Sequence, residues 1–417
     1  MKMKSSGISV ALVGVSGFGE VHYRNLRDAA KKGQLRLAAA TIINQQEEWA
    51  KCEELRASGC QLFDNYEAML TTWQGRLDLC VIPTGIHHHA PMTQRALQAG
   101  CHVLVEKPAA GVIQDVDAMI LAEKKAGKFV AVGYQHIYTP EIAAMKQAIL
   151  DGLIGEVHAL KCVGMWPRFD SYYTRNDWAG RLKSRDKWVL DAPFSNAFAH
   201  FLNLLCFLAG DQLQTSAAPH QIQAELYRSR LIESTDTACL RALTENGLPL
   251  LLWLTHSCPS VQGPMLEVRG TRGSLIWTES EILHRTSTAT QRFRSVCNFD
   301  QSEHWMLQAV LNKIQNRNTF VCGLDIARNQ TLCANGAFES SPIEVIDPDF
   351  LSVQHENAES LTVIDGIEDA CHNAFTKELL WSEMAVPWAR AGEEIDLQKY
   401  RSFRGDIPTA LASVSLI

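Results

Sequence analysis

A chain of 417 residues, 46% apolar and 20% charged and without a low-complexity tract, is long enough for two domains with a core each. Its formal charge of -7, with no clustering of lysine and arginine around aromatic residues, argues against a nucleic-acid partner, and no stretch approaches the roughly 20 apolar residues of a membrane span. The twelve cysteines lie mostly inside apolar runs between Cys52 and Cys371, with no Cys-x-x-Cys, and read as reduced thiols of a cytoplasmic protein.

Lys2 and Lys4 precede an apolar run over 8–15. That run is short and passes into Gly14-Val15-Ser16-Gly17-Phe18-Gly19, so a strand and a turn are expected there and not a secretory leader. From here to Gly152 short apolar runs alternate with amphipathic segments, the pattern of parallel βαβ units. Strands are predicted over 8–13, 35–43, 61–63, 77–82, 102–106 and 129–133. The helical stretches stop at Gly33, Gly59, Gly75, Gly100, Gly127 and Gly152, where glycine accepts the left-handed conformation that ends a helix. The expectation is an α/β fold opening with a doubly wound parallel sheet of the Rossmann type over 1–133.

Beyond 134 the alternation lengthens, with strands predicted over 156–165, 221–227, 237–243, 250–256, 265–268 and 274–277. Turn signals at Glu245-Asn246-Gly247 and Gly270-Thr271-Arg272-Gly273 argue for hairpins. Helices are expected at 195–209, 303–315, 325–337 and 364–381. An α+β domain with a large, mainly antiparallel sheet is therefore predicted over 134–417, as the site of substrate binding and oligomerisation.

The first turn carries the chemistry of dinucleotide binding. Gly14, Ser16 and Gly19 fill the three small-residue positions of the fingerprint, with Gly17 and Phe18 between them; they permit the tight turn, the approach of a pyrophosphate, and close helix–strand packing. The second strand should end in an acid for the ribose diol, yet 38–46 holds none and the first is Glu47. Thr41 or Asn44 can hydrogen-bond the ribose instead, and NAD and NADP both stay open.

At the end of the fifth strand Lys107 precedes Pro108, which stops the ladder, so a charged side chain is left at the carboxyl edge where open α/β sheets bind ligands. His87, His88 and His89 suggest a metal, but three adjacent residues do not converge on one ion, and no metal is expected. The segment from Trp166 to Gly180 is dense in aromatic and hydrogen-bonding groups; it is read as a substrate wall with Arg168, Tyr172 and Trp178 as contacts, against the alternative of a packing loop.

Val13-Gly-Val-Ser-Gly-Phe-Gly-Glu-Val-His22, Ala99-Gly-Cys-His-Val-Leu-Val-Glu-Lys-Pro108, Gly152-Leu-Ile-Gly-Glu-Val157, Leu266-Glu-Val-Arg-Gly-Thr-Arg-Gly-Ser-Leu275 and Gly366-Ile-Glu-Asp-Ala370 resemble the Gfo/Idh/MocA oxidoreductases, grouped with glucose-fructose oxidoreductase and inositol 2-dehydrogenase. The resemblance implies that Lys107 lies beside the nicotinamide and the reacting carbon of a sugar or cyclitol, and that Glu106 orients it or forms a structural ion pair. It places Pro83, Thr84 and His89 along the nicotinamide side of the cofactor, and Gln135 and His136 near substrate. The family's Asp and His, four apart on a helix, are here Asn196 and His200. His200 is then the general base, against the alternative of a paired core histidine on an apolar helix, and Asn196 a neutral substrate contact; Asp191 either supplies the missing carboxylate or caps a helix.

These residues imply an NAD(P)-dependent oxidoreductase of a small sugar-like polyol, forming a dimer or tetramer through the outer face of the large sheet. The alternatives are an NAD-dependent glycoside hydrolase of the same family and a dinucleotide-binding regulator without turnover.

Overall fold

A computed structural model of the chain describes residues 7–407; Lys2 and Lys4 lie outside the described residues. The described residues form two compact units, one of 7–110, 115–138 and 299–327, the other of 111–114, 139–298 and 328–407.

The first unit is built on six parallel strands: β1 (Ile8–Val13), β2 (Leu35–Thr41), β3 (Gln61–Phe63), β4 (Leu79–Ile82), β5 (His102–Val105) and β6 (Val130–Val132). All of β1, β4 and β6 is buried, which is why these strands read as unbroken apolar runs and not as alternating ones. Strand order is β3-β2-β1-β4-β5-β6, so the order in which strands are added reverses between the parallel β1 and β4 and opens a crevice at their carboxyl ends.

Crossovers run through α1 (Gly19–Lys31), α2 (Trp49–Ala57), α3 (Tyr66–Thr72), α4 (Ile86–Gln98) and α5 (Ile113–Ala126). The six stop glycines all adopt positive φ, from 61° at Gly127 to 89° at Gly100.

Residues 299–327, which the sequence rhythm assigns to the second region, return to the first unit. There α9 (Phe299–Gln315) packs on α1 and on the 3-10 turn Gln135–Tyr138 that follows β6. The chain then runs beside β6, where Val132 N donates to Cys322 O at 2.8 Å and Cys322 N donates to the Tyr138 hydroxyl at 3.1 Å. An edge that would otherwise present unpaired backbone groups is thereby engaged.

After α6 (Pro140–Leu150) the second unit builds its large sheet from β7 (Val157–Met165) onward. The short α7 (Asp170–Thr174), the two-stranded β8 (Lys183–Ser184) and β9 (Lys187–Trp188), and α8 (Ala199–Leu208) follow β7. The rest of the sheet comes from β10 (Pro219–Arg228), β11 (Thr237–Thr244), β12 (Pro249–Thr255), β13 (Gln262–Gly270), β14 (Gly273–Trp277), β15 (Glu281–Arg285) and β16 (Thr290–Ser295). After α10 (Leu324–Ser340) comes the edge strand β17 (Ile343–Val345). The order is β16-β15-β14-β13-β7-β12-β11-β10-β17, antiparallel except at β7–β12 and β10–β17.

A hairpin of β18 (Leu351–Glu356) and β19 (Glu359–Ile364), then α11 (Ile367–Lys377), then β20 (Ile395–Asp396) paired with β10 complete the fold. Asn196 lies in turns ahead of α8, so the helix begins later than the predicted 195.

Period-2 alternation splits the large sheet into two apolar faces. α8, buried at every residue, packs on β7 and β12. On the opposite face Val163, Met165, Tyr227, Cys239, Leu251 and Trp253 meet Ile364, Ile367, Phe375, Trp381 and Trp388. The outer face through which the resemblance leads one to expect self-association is, over this stretch, covered by the chain's own C-terminal elements. Lys161 fixes the cover by ion pairs to Glu267 at 3.1 Å and Glu378 at 3.2 Å and by a hydrogen bond to Phe375 O at 3.0 Å. No helix among the described residues is long and apolar enough to cross a membrane.

Trp253 is fully buried in that cluster and its indole N–H donates to Leu379 O at 3.1 Å. Trp253→Ala is expected to cost about 3–5 kcal/mol by loss of burial and creation of a cavity. Urea denaturation measures this, and an unchanged midpoint would contradict the packing described.

Candidate active site

The turn after β1 is shaped for close approach. Gly14 (φ 84°) and Gly17 (φ 55°) occupy left-handed positions, and Gly14 N donates to Thr41 O at 2.8 Å, closing the turn on the end of β2. A Cβ at Gly19 would stand 2.9 Å from Gly14 O, so only glycine lets α1 start this near the strand. A Cβ at Gly14 or Gly17 would meet nothing within 4 Å among the described residues, and Ser16, Gly17 and Phe18 are exposed. An open, small-residue cradle at the N-terminus of a 13-residue helix fits the pyrophosphate of a dinucleotide.

Acids absent from the end of β2 arrive from further along the chain. Asn44 Nδ2 donates to Ser16 Oγ at 3.1 Å and to Glu47 Oε2 at 2.9 Å. Lys51 reaches back from α2 to Val15 O at 3.0 Å, pairing with Glu20 at 3.0 Å and Glu48 at 2.8 Å. Hydrogen bonds from Lys51 and Ser16 hold the Glu48 carboxyl below its usual range. Three carboxylates and one ammonium thus surround Ser16 and Asn44, a grouping that spacing alone did not reveal.

At the other strand ends of this unit, Lys107 follows β5 and is half-buried, while Glu106 is buried. Glu106 Oε1 lies 2.8 Å from His22 Nε2, and its Oε2 accepts from Lys107 N at 3.1 Å. A Cβ at Gly133 would stand 2.5 Å from Glu106 Oε1, so glycine there makes room for the carboxylate. Burial alone would push the His22 pKa down; the Glu106 carboxylate, with Glu303 beyond it, reverses this and holds it above its usual value. Glu106 is therefore engaged within the protein by His22 and by the backbone of Lys107.

His89 is buried with its ring nitrogens 2.7 Å from Pro108 O and 2.9 Å from Thr84 O, and burial pushes its pKa down. A neutral imidazole donates to one of these carbonyls at a time, linking the β4–α4 turn to the Lys107–Pro108 segment. Pro83 approaches the Gly19 position, its Cγ 3.6 Å from where a Cβ would sit. His87 and His88 have ring centroids 4.0 Å apart, and among the described residues no group of three or more metal-ligating side chains is arranged to hold an ion.

Gln135 is buried with its side-chain oxygen lacking a hydrogen-bond partner. So is Glu303 of α9, both of whose oxygens lack one; burial, with Glu106 adding and His22 opposing, pushes its pKa up to about 7. His22 and Glu303 were not among the predicted site residues.

In the second unit Asn196 Nδ2 donates to Asp191 Oδ1 at 2.9 Å and lies 3.5 Å from the Tyr172 hydroxyl. Asp191 Oδ2 accepts from Gly180 N at 2.7 Å, so a buried carboxylate does stand behind the amide. His200 is buried near the start of α8. Arg168 lies over the rings of Trp166 (5.7 Å) and Tyr172 (4.9 Å), and Arg175 over Tyr172 (3.6 Å) and Trp178 (5.3 Å). The structure thus gathers the predicted Arg168, Tyr172, Trp178 and Asn196 into one wall, with Arg175 and Asp191 added.

Comparison with known proteins agrees with the fold. Residues 8–134 match the Gfo/Idh/MocA model described as an oxidoreductase family with an NAD-binding Rossmann fold, and residues 142–276 match the C-terminal domain model of the same family. A D-apiose dehydrogenase of Paraburkholderia graminis is 25% identical over 294 residues, 67% of this chain and 71% of that protein.

A dTDP-3,4-didehydro-2,6-dideoxy-alpha-D-glucose 3-reductase of Streptomyces violaceoruber is 28% identical over 148 residues, 36% of this chain. That match spans only 42% of the relative's length. Among solved structures, an inositol dehydrogenase homolog from Azotobacter vinelandii, complexed with NADH and myo-inositol, superposes with a TM-score of 0.67 at 15% identity, covering 80% of this chain and 96% of that one.

The Glu303 carboxyl makes a pH-dependent stability difference. Its folded pKa of about 7 lies above the usual 4.5, so its contribution is fully present below about 4.5 and is lost as pH rises through about 7. Glu303→Gln does not titrate. The stability of the wild type relative to this variant should therefore fall by up to ~3 kcal/mol across that window and then level off. Denaturation curves at a series of pH values test it; a constant difference would contradict it.

Proposed function

We propose that this chain, which belongs to the Gfo/Idh/MocA family of oxidoreductases, transfers a hydride between a secondary alcohol of a sugar, cyclitol or related polyol and a nicotinamide dinucleotide. The observation that carries the reading is the pairing, within one sheet, of the open glycine turn after β1 with Lys107 after β5, both at carboxyl ends of strands beside the reversal of strand order. The relatives named as a sugar dehydrogenase and a sugar reductase, and the structural neighbour with myo-inositol, support a polyhydroxylated substrate.

In this reading Gly14, Ser16, Gly17, Phe18 and Gly19 hold the pyrophosphate, with Asn44 toward the ribose and Pro83 and Thr84 lining the nicotinamide side. Nicotinamide, when bound, supplies a hydride acceptor or donor. Lys107 donates a hydrogen bond to the reacting oxygen and stabilises negative charge as its proton leaves. Glu106, tied to His22, fixes the backbone from which Lys107 extends. His200 serves as the proton acceptor and Asn196, held by Asp191, as a hydrogen-bond partner of substrate. Gln135, with an unengaged buried oxygen, accepts from a substrate hydroxyl.

The carboxylates Glu20, Glu47 and Glu48 around Ser16 and Asn44 favour NAD, because a 2′-phosphate would meet them while Lys51 is already paired with Glu20 and Glu48.

Native mass spectrometry of freshly purified protein, followed by an absorbance screen of polyols, tests the assignment. Lys107→Ala is expected to lose turnover by about 10²–10³, the size of a lost charge-stabilising donor, with dinucleotide affinity retained. Undiminished turnover, or no dinucleotide binding by the wild type, would refute it. Fluorescence titration should show NADH binding at least about tenfold tighter than NADPH, roughly 1.4 kcal/mol, with the gap narrowed in Glu48→Gln. Equal affinities would count against NAD.

A further inference from the structure

The wall in the second unit holds more positive charge than its own fold consumes. Three guanidiniums gather there, and Arg230 is engaged by the fold through hydrogen bonds from both Nη atoms and two ion pairs. It donates to Arg168 O at 2.6 Å, Ser257 Oγ at 3.2 Å and Thr362 O at 3.1 Å, and pairs with Asp236 at 3.4 Å and Asp170 at 3.6 Å. Asp236 is further satisfied by Ser229 N and Oγ, each at 3.0 Å, and by Thr237 Oγ1 at 3.0 Å. Asp191 is satisfied by Gly180 N at 2.7 Å and Asn196 Nδ2 at 2.9 Å. The carboxylates of the region are thus committed elsewhere.

Arg168 and Arg175 have no carboxylate oxygen of a described residue within 4.0 Å. Arg175 has a backbone acceptor, Tyr172 O. Arg168 has less: its Nε is buried without a hydrogen-bond partner, its Nη1 reaches Pro167 O at 3.5 Å, and its side chain also interacts with the Tyr172 phenol, with no carboxylate among these partners. A guanidinium carries five N–H donors, and taking it from water without a partner is costly. Stacking over Trp166 and Tyr172 offsets part of that cost but satisfies no donor.

Nor is Arg168 a floppy surface group, because its backbone is pinned: Arg168 N donates to His256 O at 3.0 Å, and its carbonyl accepts from Arg230. The positive field is felt nearby, for His256 has its pKa pushed down to about 3, by burial first and then by Arg168, Arg230 and Arg175. The neutral Asn196 completes the setting, since it stands where the resemblance leads one to expect an aspartate, and an amide does not repel an anion.

We propose that Arg168, assisted by Arg175, binds an anionic group of the substrate, so that this enzyme acts on a carboxylated or phosphorylated sugar or polyol and not on a neutral one. Carboxylate and phosphate offer the same pair of oxygens to a guanidinium fork. This rests on the proposed function in taking the wall as the substrate's.

Isothermal titration of the intact, dinucleotide-loaded protein with hexuronates, hexose 6-phosphates and their neutral parent hexoses tests it. At least one anionic sugar should bind about tenfold or more tighter than its neutral parent, with the advantage shrinking as salt is raised. Preference for uronates over phosphates, or the reverse, names the source of the charge and supports the proposal either way.

Arg168→Gln should bring the anionic and neutral affinities within about threefold of each other, and Arg168→Lys, which keeps charge without the fork, should fall between. Thermal melting that matches wild type excludes unfolding as the cause. If Arg168→Gln melts early, the lysine variant and Arg175→Gln carry the comparison. Neutral hexoses binding as tightly as anionic ones, no anionic sugar binding, or a preference that survives the Arg168 variants would each overturn the proposal. Dinucleotide affinity measured on the same samples separates the two levels: intact binding leaves the family reading standing when this inference fails, and its absence would strike the reading itself.

Discussion

The contact between His22 and Glu106 is the constraint on which the first unit's site depends. His22 lies one turn into α1, the helix that begins at the glycine turn, and Glu106 lies one residue past β5 and one before Lys107. Their 2.8 Å contact is buried at both ends. Removing one partner of such a pair leaves a polar or charged group without compensation, so helix and strand end cannot drift apart without a large cost. Glycine is required on both sides: at Gly19, so that α1 starts against Gly14 O, and at Gly133, so that the Glu106 carboxylate has room.

Glu303 adds a second carboxyl to this interior, from a helix that enters the unit almost two hundred residues later in the chain than Glu106. Two carboxyls and an imidazole in a dry region cannot all hold their ordinary charges. The geometry settles who yields: His22 is hydrogen-bonded to Glu106 and keeps its proton more firmly, while Glu303, with no hydrogen-bonding partner, keeps its own toward neutrality. The result is a cluster with one tight pair and one soft group.

Much of the first sheet was legible because β1, β4 and β6 are buried along their whole length and write themselves as apolar runs; β1 falls on the predicted bounds, as does β3, which is not itself buried, and the others lie within two residues. The exposed strands were not, since Thr-Gln-Arg-Phe-Arg-Ser in β16 and Leu-Ser-Val-Gln-His-Glu in β18 show no apolar alternation to read. That α9 is a helix was readable; which sheet it joins was not, because its partners lie far away in sequence. Even so, a signal for Glu303 existed: it shares the buried stripe Ser302, Met306, Leu307, Val310 and Leu311, where an acid is out of place. Glu48 offered no comparable sign, because a turn and not a spacing brings it to Ser16.

Asn196 shows how a departure from a motif is absorbed by its surroundings. The carboxylate expected at that position is instead at Asp191, delivered by a turn in which Leu190 adopts a left-handed φ of 51°. A bulky side chain, even one not branched at Cβ, costs about 1 kcal/mol or more in that conformation, which persists only where other contacts determine it. Here those contacts are Leu190 N to Leu182 O at 3.0 Å, the complete burial of its side chain, and the two hydrogen bonds on Asp191. Strain, a buried acid and a neutral amide therefore form one arrangement, in which the Asp191 carboxylate sits behind an amide, a phenol and guanidinium groups. With the carboxylate back one layer and bonded to Gly180 and Asn196, Arg168 and Arg175 have no ion pair among the described residues.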